Sequence, residues 1–191
     1  YPFISSAHQS YHTPLGDVEI ASELLAEFNN SLQNTGLDGL QLIANVREHS
    51  LEIQLPFLQV ALSKPFSLVP LMIRTHDPQI LEKAARKLAD LIKNKKVLLV
   101  ASTDLSHFYN EKTANTLDNV MLNQMTDFSP SGVLNAEANE EGFACGAGAV
   151  AFVLWTALSL GAKKVNLLHH TTSAQASRDT SSVVGYGALS I

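Results

Sequence analysis

The 191-residue sequence has little cysteine, few aromatic residues and no excess of basic charge. Its single cysteine, Cys145, cannot form an internal disulfide, which is typical of a reducing compartment, so we expect a cytoplasmic protein. Thirteen Lys and Arg stand against eighteen Asp and Glu, with a net charge of −5, and this balance argues against a nucleic-acid partner. No apolar run is long enough to span a bilayer, so we expect no membrane association.

The composition predicts a globular α/β protein. Apolar residues make up 46% of the chain and charged residues 16%, which is enough apolar side chain for a hydrophobic core. Apolar residues at helical spacing predict helices at 21–34, 48–62, 78–92, 113–125, 130–139 and 149–160. Short apolar runs predict strands at 40–46, 67–73, 97–101, 165–169 and 182–191, and Gly185 and Gly187 in the last of these indicate a bulge or close packing. Residues 3–13 are polar and end in a turn signal, TPLGD, at residues 13–17. This alternation predicts one domain over residues 1–191, a layered sandwich in which helices flank a largely parallel or mixed central sheet.

One predicted strand leads directly into chemistry-bearing residues. Residues 97–101 read VLLVA, a continuous apolar run typical of a strand buried on both faces. Asp104 and His107 follow it, and ligand sites in open α/β sheets collect beyond the carboxyl ends of strands. The alternative is that Asp104 caps the following turn and that His107 is simply exposed.

The only cysteine lies in a loop of small residues, ACGAGA, just before the apolar helix predicted at 149–160. A thiol at a helix N-terminus experiences the positive end of the helix dipole, which favours the thiolate form. The alternative is a buried structural cysteine beside a glycine-rich packing loop. Acid, imidazole and thiol together are the side chains that transition-metal and redox sites use.

A third segment, around Glu48, His49 and Glu52, opens the predicted helix at 48–62. His49 and Glu52 are three residues apart and can share a helix face, although acidic residues in a first turn also serve as capping groups. The other histidines have no metal-type spacing and are interpreted as surface or core residues: His8, His12, His76, His169 and His170.

Five ordered motifs together resemble one known family. Residues 11–18 read YHTPLGDV, similar to the family's YRTPLGDV, and residues 47–58 read REHSLEIQLPFL, similar to its EHS-x-E-x-x-LP helix. Residues 101–108 read ASTDLSHF, similar to its SSDFSH; Cys145-Gly146 matches its CG loop; and residues 181–186 read SSVVGY, similar to its SSVVGYA. The chain therefore resembles the Memo-like family, also called AmmeMemoRadiSam system protein B, along nearly its whole length.

The resemblance implies a fold and a site. It implies a fold similar to the catalytic subunits of class III extradiol dioxygenases, with Asp104, His107 and Cys145 as metal ligands and His49 and His107 as catalytic residues. The cofactor implied is a transition metal, copper or iron ahead of zinc, and the activity implied is redox or dioxygenase-like. The partners implied are a radical SAM protein and an AMMECR1-like protein.

The chain departs from the family pattern in one respect. It lacks the two upstream histidine motifs of the family, PHAGY and SHH, so the resemblance implies either the C-terminal part of a longer Memo-like domain, which we expect, or a natural variant with an incomplete site. Because those histidines would supply much of the metal affinity, we expect metal binding by this chain to be weak or absent.

Two other functions remain open. The fold could serve as a non-catalytic module that binds partner proteins. The pocket residues would then be retained from the family but would catalyse no reaction. A thiol hydrolase with Cys145 as nucleophile and His107 as base is the third reading, although no oxyanion motif accompanies it.

Overall fold

The computed structural model describes residues 1–44, 49–62 and 64–191, and these fall into two compact units, Tyr1–Thr75 and His76–Ile191. Each unit combines helices with strands, so the predicted α/β class is confirmed. None of the helices built from the described residues has both the length and the apolar character needed to cross a lipid bilayer.

The first unit is built around a small mixed sheet. Its elements, in chain order, are β1 (Phe3–Ser6), β2 (Ser10–Thr13), β3 (Gly16–Glu19), α1 (Ser22–Gln33), β4 (Gln41–Ile43), α2 (Gln54–Ala61) and β5 (Met72–Ile73). The strand order is β4-β1-β5, with β1 parallel to β4 and antiparallel to β5. All four residues of β1 are buried, although two of them are serines. Ser5 tolerates burial because its hydroxyl donates to the Pro70 carbonyl at 2.7 Å.

The turn predicted after residue 13 joins two antiparallel strands, β2 and β3. Thr13 pairs with Gly16 at the end of the hairpin, and Gly16 has φ of 114°, a conformation that glycine adopts without strain. The Thr13 hydroxyl donates to the Gly16 carbonyl at 2.8 Å and closes the turn. The sequence signal was correct here because every determinant of the turn is local.

Two predictions in the first unit need correction. The helix predicted at 48–62 begins only at Gln54, after a turn, and position 48 lies outside the described residues. Pro56 explains the late start, since its missing N–H is harmless only in the first turn of a helix. The strand predicted at 67–73 is reduced to β5, an edge strand that follows Pro70, which cannot donate to a ladder.

The second unit combines a bundle of helices with an antiparallel sheet. Its elements are α3 (Pro78–Ile92), β6 (His107–Tyr109), α4 (Glu111–Thr126), α5 (Pro130–Ala138), α6 (Ala147–Ser159), β7 (Asn166–Thr172), α7 (Ala174–Ser177) and β8 (Val183–Ser190). The sheet has the order β6-β8-β7, with both pairs antiparallel. Among the named strand pairs of the described residues only β1 with β4 is parallel, so of the two predicted alternatives, largely parallel or mixed, the structure has the mixed one. The dioxygenase-like sandwich remains a prediction.

The strand predicted at 97–101 does not form. This stretch has no regular secondary structure, and Val97, Leu98 and Val100 are 43%, 63% and 47% exposed. A strand requires a neighbour that pairs with its N–H and C=O groups, and no strand of the described chain pairs with these residues. An apolar run therefore predicted the right composition for a buried strand but not the partner that would bury it.

Helix α6 forms the centre of the second unit. It packs against α3 and α5, and most of its residues are buried, including Trp155, the single tryptophan of the chain. Helix α4 packs against the strands of the sheet. A methyl group on Gly187 of β8 would lie 2.9 Å from Leu122 of α4, so the predicted close packing at this glycine is confirmed.

Among the residues that the structure describes, Asp179, in the turn before β8, is the one carboxyl group whose pKa is clearly shifted. The Ser181 hydroxyl donates to Asp179 Oδ1 at 2.6 Å, and the Ser181 backbone N–H donates to the same oxygen at 2.8 Å. These bonds stabilise the charged form and hold the pKa of Asp179 below its usual value.

Candidate functional site

The segment before β6 carries two of the predicted site residues. Its buried centre is tied to β8, since the Leu105 N–H donates to the Gly185 carbonyl at 2.9 Å and the Gly185 N–H donates to the Ser106 carbonyl at 2.8 Å. Asp104 precedes this buried pair, and His107 is the first residue of β6. The sheet, not the end of a parallel strand, therefore positions both side chains.

The backbone is irregular immediately after His107. Phe108 has a φ of 65°, which bulky residues rarely adopt, and the pairing of β6 with β8 shifts register between His107 and Tyr109. Such a bulge redirects the side chains of a strand, and strained backbone of this kind is concentrated at functional sites.

Asp104 and His107 are close to each other but do not form a hydrogen bond. His107 Nε2 lies 3.4 Å from Asp104 Oδ2, and the two side chains are 35% and 47% exposed. The Nε2 atom itself is buried and has no hydrogen-bond partner among the residues that the structure describes. A buried ring nitrogen without a partner is uncommon in folded proteins and calls for an explanation.

Cys145 reaches the same segment from the other side. The Cys145 N–H donates to the Asp104 carbonyl at 3.2 Å, and the Asp104 N–H donates back to Cys145 Sγ at 3.3 Å. The Thr103 hydroxyl lies 3.5 Å from the same sulfur. Cysteine and aspartate, 41 residues apart in the sequence, are thus neighbours, and the cysteine is exposed rather than buried in packing.

The cysteine loop is held by contacts on both sides. Glu137 of α5 accepts the Ala144 N–H at 2.7 Å, and Thr103 Oγ1 accepts the Gly146 N–H at 2.8 Å. Gly146 is the N-cap of α6, and a Cβ atom there would lie 2.9 Å from the Ser102 carbonyl. Only glycine permits this approach, which brings the start of an α-helix and the thiol against residues 102–104.

The arrangement stops short of a complete metal centre. Across residues 1–44, 49–62 and 64–191, no group of three His, Cys, Asp or Glu side chains is placed so that it could hold a metal ion. The structure brings the Asp104, His107 and Cys145 segments together but does not converge their three donor groups on one point.

His49 lies in the first unit. Its side chain is 80% exposed, and its Nδ1 lies 3.7 Å from Glu52, the residue that the helix spacing suggested. Arg47 and Glu48 of the same motif lie outside the described residues. A catalytic role for His49 remains a prediction.

One pair of side chains in the second unit escaped the sequence analysis. Asp118 of α4 is fully buried, and its Oδ2 lies 2.9 Å from His170 Nε2. The sequence analysis interprets His170 as a surface or core histidine, because it has no metal-type spacing. A signal was present, because position 118 falls on the buried face of α4 with Ala114 and Met121, where a carboxylate requires donors.

These features define an α/β protein in which a carboxylate, an imidazole and a thiol lie on adjoining segments of one unit. The sequence model of the family described as Memo-like protein matches residues 2–190, and the chain therefore belongs to the Memo-like family.

Relatives from several microorganisms support this assignment. A MEMO1 family protein of Nitrosopumilus maritimus is 32% identical over 179 residues, which cover 94% of this chain and 64% of the relative. One from Thermotoga neapolitana is 34% identical over 177 residues, with 92% and 61% covered. One from Methanosarcina mazei is 29% identical over 188 residues, with 97% and 68% covered. The chain thus spans roughly two thirds of the length of these curated relatives, and less than that for the first two.

Proposed function

We propose that this Memo-like protein holds a transition-metal ion, copper or iron, at Asp104, His107 and Cys145 and uses it in redox or dioxygenase-like chemistry. The observation that carries the proposal is the buried His107 Nε2, which lacks a hydrogen-bond partner in the described structure and lies 3.4 Å from Asp104 Oδ2. A metal ion would satisfy this nitrogen without requiring a proton donor or acceptor.

The separation of the two donors fits a shared ion. Two ligand atoms that each bind a metal at about 2.1 Å with tetrahedral angles lie about 3.4 Å apart. The distance of 3.4 Å between His107 Nε2 and Asp104 Oδ2 matches this value and is too long for a strong charge-assisted hydrogen bond.

The thiol supplies the chemical preference of the proposed site. Imidazole and thiolate favour copper and iron over magnesium or calcium, which prefer oxygen ligands. The Asp104 backbone N–H donates to the Cys145 sulfur, and the close approach of Gly146 to Ser102 and Thr103 holds the cysteine loop against this segment. A bound copper or iron ion would supply one-electron chemistry, while the protein would orient its ligands and exclude water from His107 Nε2.

The affinity of the proposed site should be low. The three donors lie on neighbouring segments but do not form a complete ligand group in the described structure. Metal sites of high affinity have their ligands oriented in advance by outer contacts, and here the thiol would have to turn towards the other two donors.

A calorimetric titration with Cu(I) or Fe(II) under anaerobic conditions tests the proposal. We expect weak binding, reduced at least about tenfold by Cys145→Ser and by His107→Ala, because each substitution removes a ligand. His169→Ala removes an exposed histidine from β7 of the same unit and serves as the matched control, with affinity unchanged. Metal binding that persists at full strength in both ligand variants would contradict the proposed ligand set.

An exposed apolar stripe that begins at the N-cap of α2 and continues along the helix favours a second candidate, a module that binds partner proteins. Ile53, Phe57 and Val60 follow helical spacing and are 63%, 72% and 77% exposed. We expect Phe57→Ser with Val60→Ser to weaken binding to a radical SAM or AMMECR1-like protein. The matched comparison is the triple alanine variant of Asp104, His107 and Cys145. If only the triple variant loses binding, the α2 stripe is not the docking face.

A further inference from the structure

The second unit buries one carboxylate completely, and that carboxylate is fully partnered. Asp118 Oδ1 accepts the Ser106 N–H at 2.9 Å, and Asp118 Oδ2 pairs with His170 Nε2 at 2.9 Å. A buried carboxylate is tolerated only when donors of this kind replace its hydration. The Asp118 side chain therefore connects several parts of the unit. Asp118 itself belongs to α4, His170 belongs to β7, and Ser106 lies in the segment before β6, which is hydrogen-bonded to β8.

Gly185 of β8 allows this meeting. A Cβ atom on Gly185 would overlap the Asp118 carboxylate, so a glycine is required where the carboxylate approaches the sheet. The same glycine makes backbone hydrogen bonds with both Leu105 and Ser106. The Ser106 N–H and C=O are thus both committed, one to Asp118 and the other to Gly185.

Ser106 lies between Asp104 and His107, so its placement determines theirs. Ser106 is fully buried and cannot shift without breaking its bond to Asp118 or its bond to Gly185. Two residues earlier, the Asp104 backbone exchanges hydrogen bonds with Cys145. A displacement of Ser106 would therefore move all three proposed ligands.

We propose that Asp118, held by His170, is a positioning residue that sets the backbone carrying Asp104 and His107 and thereby the geometry of the metal site. The inference rests on the proposed function, since it assigns Asp118 a role at that site. Asp118 touches no proposed ligand side chain and acts through the backbone of Ser106.

The test compares three variants of α4 with Co(II) as the probe, because a cobalt–thiolate bond gives a charge-transfer absorption that reports on Cys145. Asp118→Ala removes both acceptors, and we expect about tenfold weaker Co(II) binding with loss of the thiolate band. Asp118→Asn keeps an acceptor for the Ser106 N–H, so affinity should return to within about threefold of wild type. Met125→Ala, about two turns along the same helix, destabilises the core without touching Ser106 and should leave affinity unchanged.

The outcomes separate positioning from simple loss of stability. Wild-type affinity in folded Asp118→Ala overturns the inference, and so does an equal loss of affinity in Met125→Ala. If Asp118→Ala does not fold, His170→Ala takes its place, because it leaves the carboxylate but removes its support. We expect His170→Ala to weaken Co(II) binding about threefold, and wild-type affinity in that variant overturns the inference.

A metal-independent measurement separates this inference from the proposed function. If the wild type binds no metal, the proposed function fails, and the inference is judged by amide hydrogen exchange at Ser106 and Cys145 and by the alkylation rate of the thiol. Asp118→Ala, or His170→Ala in its place, should accelerate exchange at both amides at least about tenfold relative to Met125→Ala. Equal exchange in the alanine variants would overturn the positioning role.

Discussion

Two aspartate–histidine pairs occur in the same unit, and they are built in opposite ways. Asp118 and His170 are 0% and 18% exposed, stand 2.9 Å apart, and the carboxylate also accepts a backbone N–H. Asp104 and His107 are 47% and 35% exposed, stand 3.4 Å apart, and leave a ring nitrogen without a partner in the described structure. The Asp118–His170 pair, whose hydrogen-bonding groups have partners, is suited to holding the structure. The Asp104–His107 pair, which leaves a ring nitrogen without a partner in the described structure, is suited to binding a ligand.

Removing each carboxylate should show this difference most strongly in stability. Asp118→Ala leaves the Ser106 N–H and His170 without an acceptor in the core, and we expect it to lower the free energy of unfolding by about 3–5 kcal/mol. Asp104→Ala removes an exposed partner and should cost at most about 1 kcal/mol. Urea unfolding followed by circular dichroism measures both. Comparable losses in the two variants would show that the pairs do not differ in the way described.

A methyl group on one glycine should disturb the buried pair and spare the exposed one. Gly185→Ala forces a Cβ against the Asp118 carboxylate, and we expect a loss of about 1–3 kcal/mol in thermal unfolding experiments.

Gly187→Ala is the matched control in the same strand. Its Cβ would lie 2.9 Å from the Leu122 Cδ2 atom, the flexible end of a side chain, so the loss should be smaller. The comparison fails if Gly187→Ala is the more destabilising of the two.

The carboxylate of Asp179 shows the effect of hydrogen bonding on a pKa without burial, because this residue is exposed. The Ser181 hydroxyl is the largest cause of the lowered pKa of the exposed Asp179, so Ser181→Ala should raise that pKa towards its ordinary value. Because the folded-state pKa is depressed, the stabilisation exists above the unfolded value and is lost as the pH falls through the folded one. A carbon-13 NMR titration of the Asp179 carboxyl group measures the shift.

Ser177→Ala provides the control for this titration. Ser177 only accepts the Asp179 N–H, at 3.1 Å, so its loss should leave the Asp179 pKa low. An unchanged titration in Ser181→Ala would contradict the assigned cause.

The sequence predicted those elements whose determinants are residues close together in the chain. Helix α3 spans the predicted residues 78–92 because Asp77 accepts the first free N–H groups, Pro78 suits the first turn, and apolar residues recur along one face. The hairpin at Thr13 and Gly16 was predictable for the same reason. The meeting of Cys145 with Asp104 was predictable only through the order of several motifs, since no single motif indicates a contact 41 residues apart.

The predictions from sequence failed where the structure depends on contacts between residues far apart in the chain. Residues 97–101 have a strand's composition, yet the described structure provides no strand that pairs with them. Asp118 and His170 are 52 residues apart, and nothing in their spacing links them. Asp118 lies on the buried face of α4, where a carboxylate needs donors, but only the fold shows that His170 and Ser106 supply them.

The position of Trp155 has a practical consequence. It is the only tryptophan, it is 8% exposed, and it lies in α6 of the second unit. Selective excitation of indole emission will therefore follow the environment of one half of the chain and ignore melting confined to residues 1–75. Pairing that emission with a probe sensitive to both halves would reveal whether they lose their structure together or in turn.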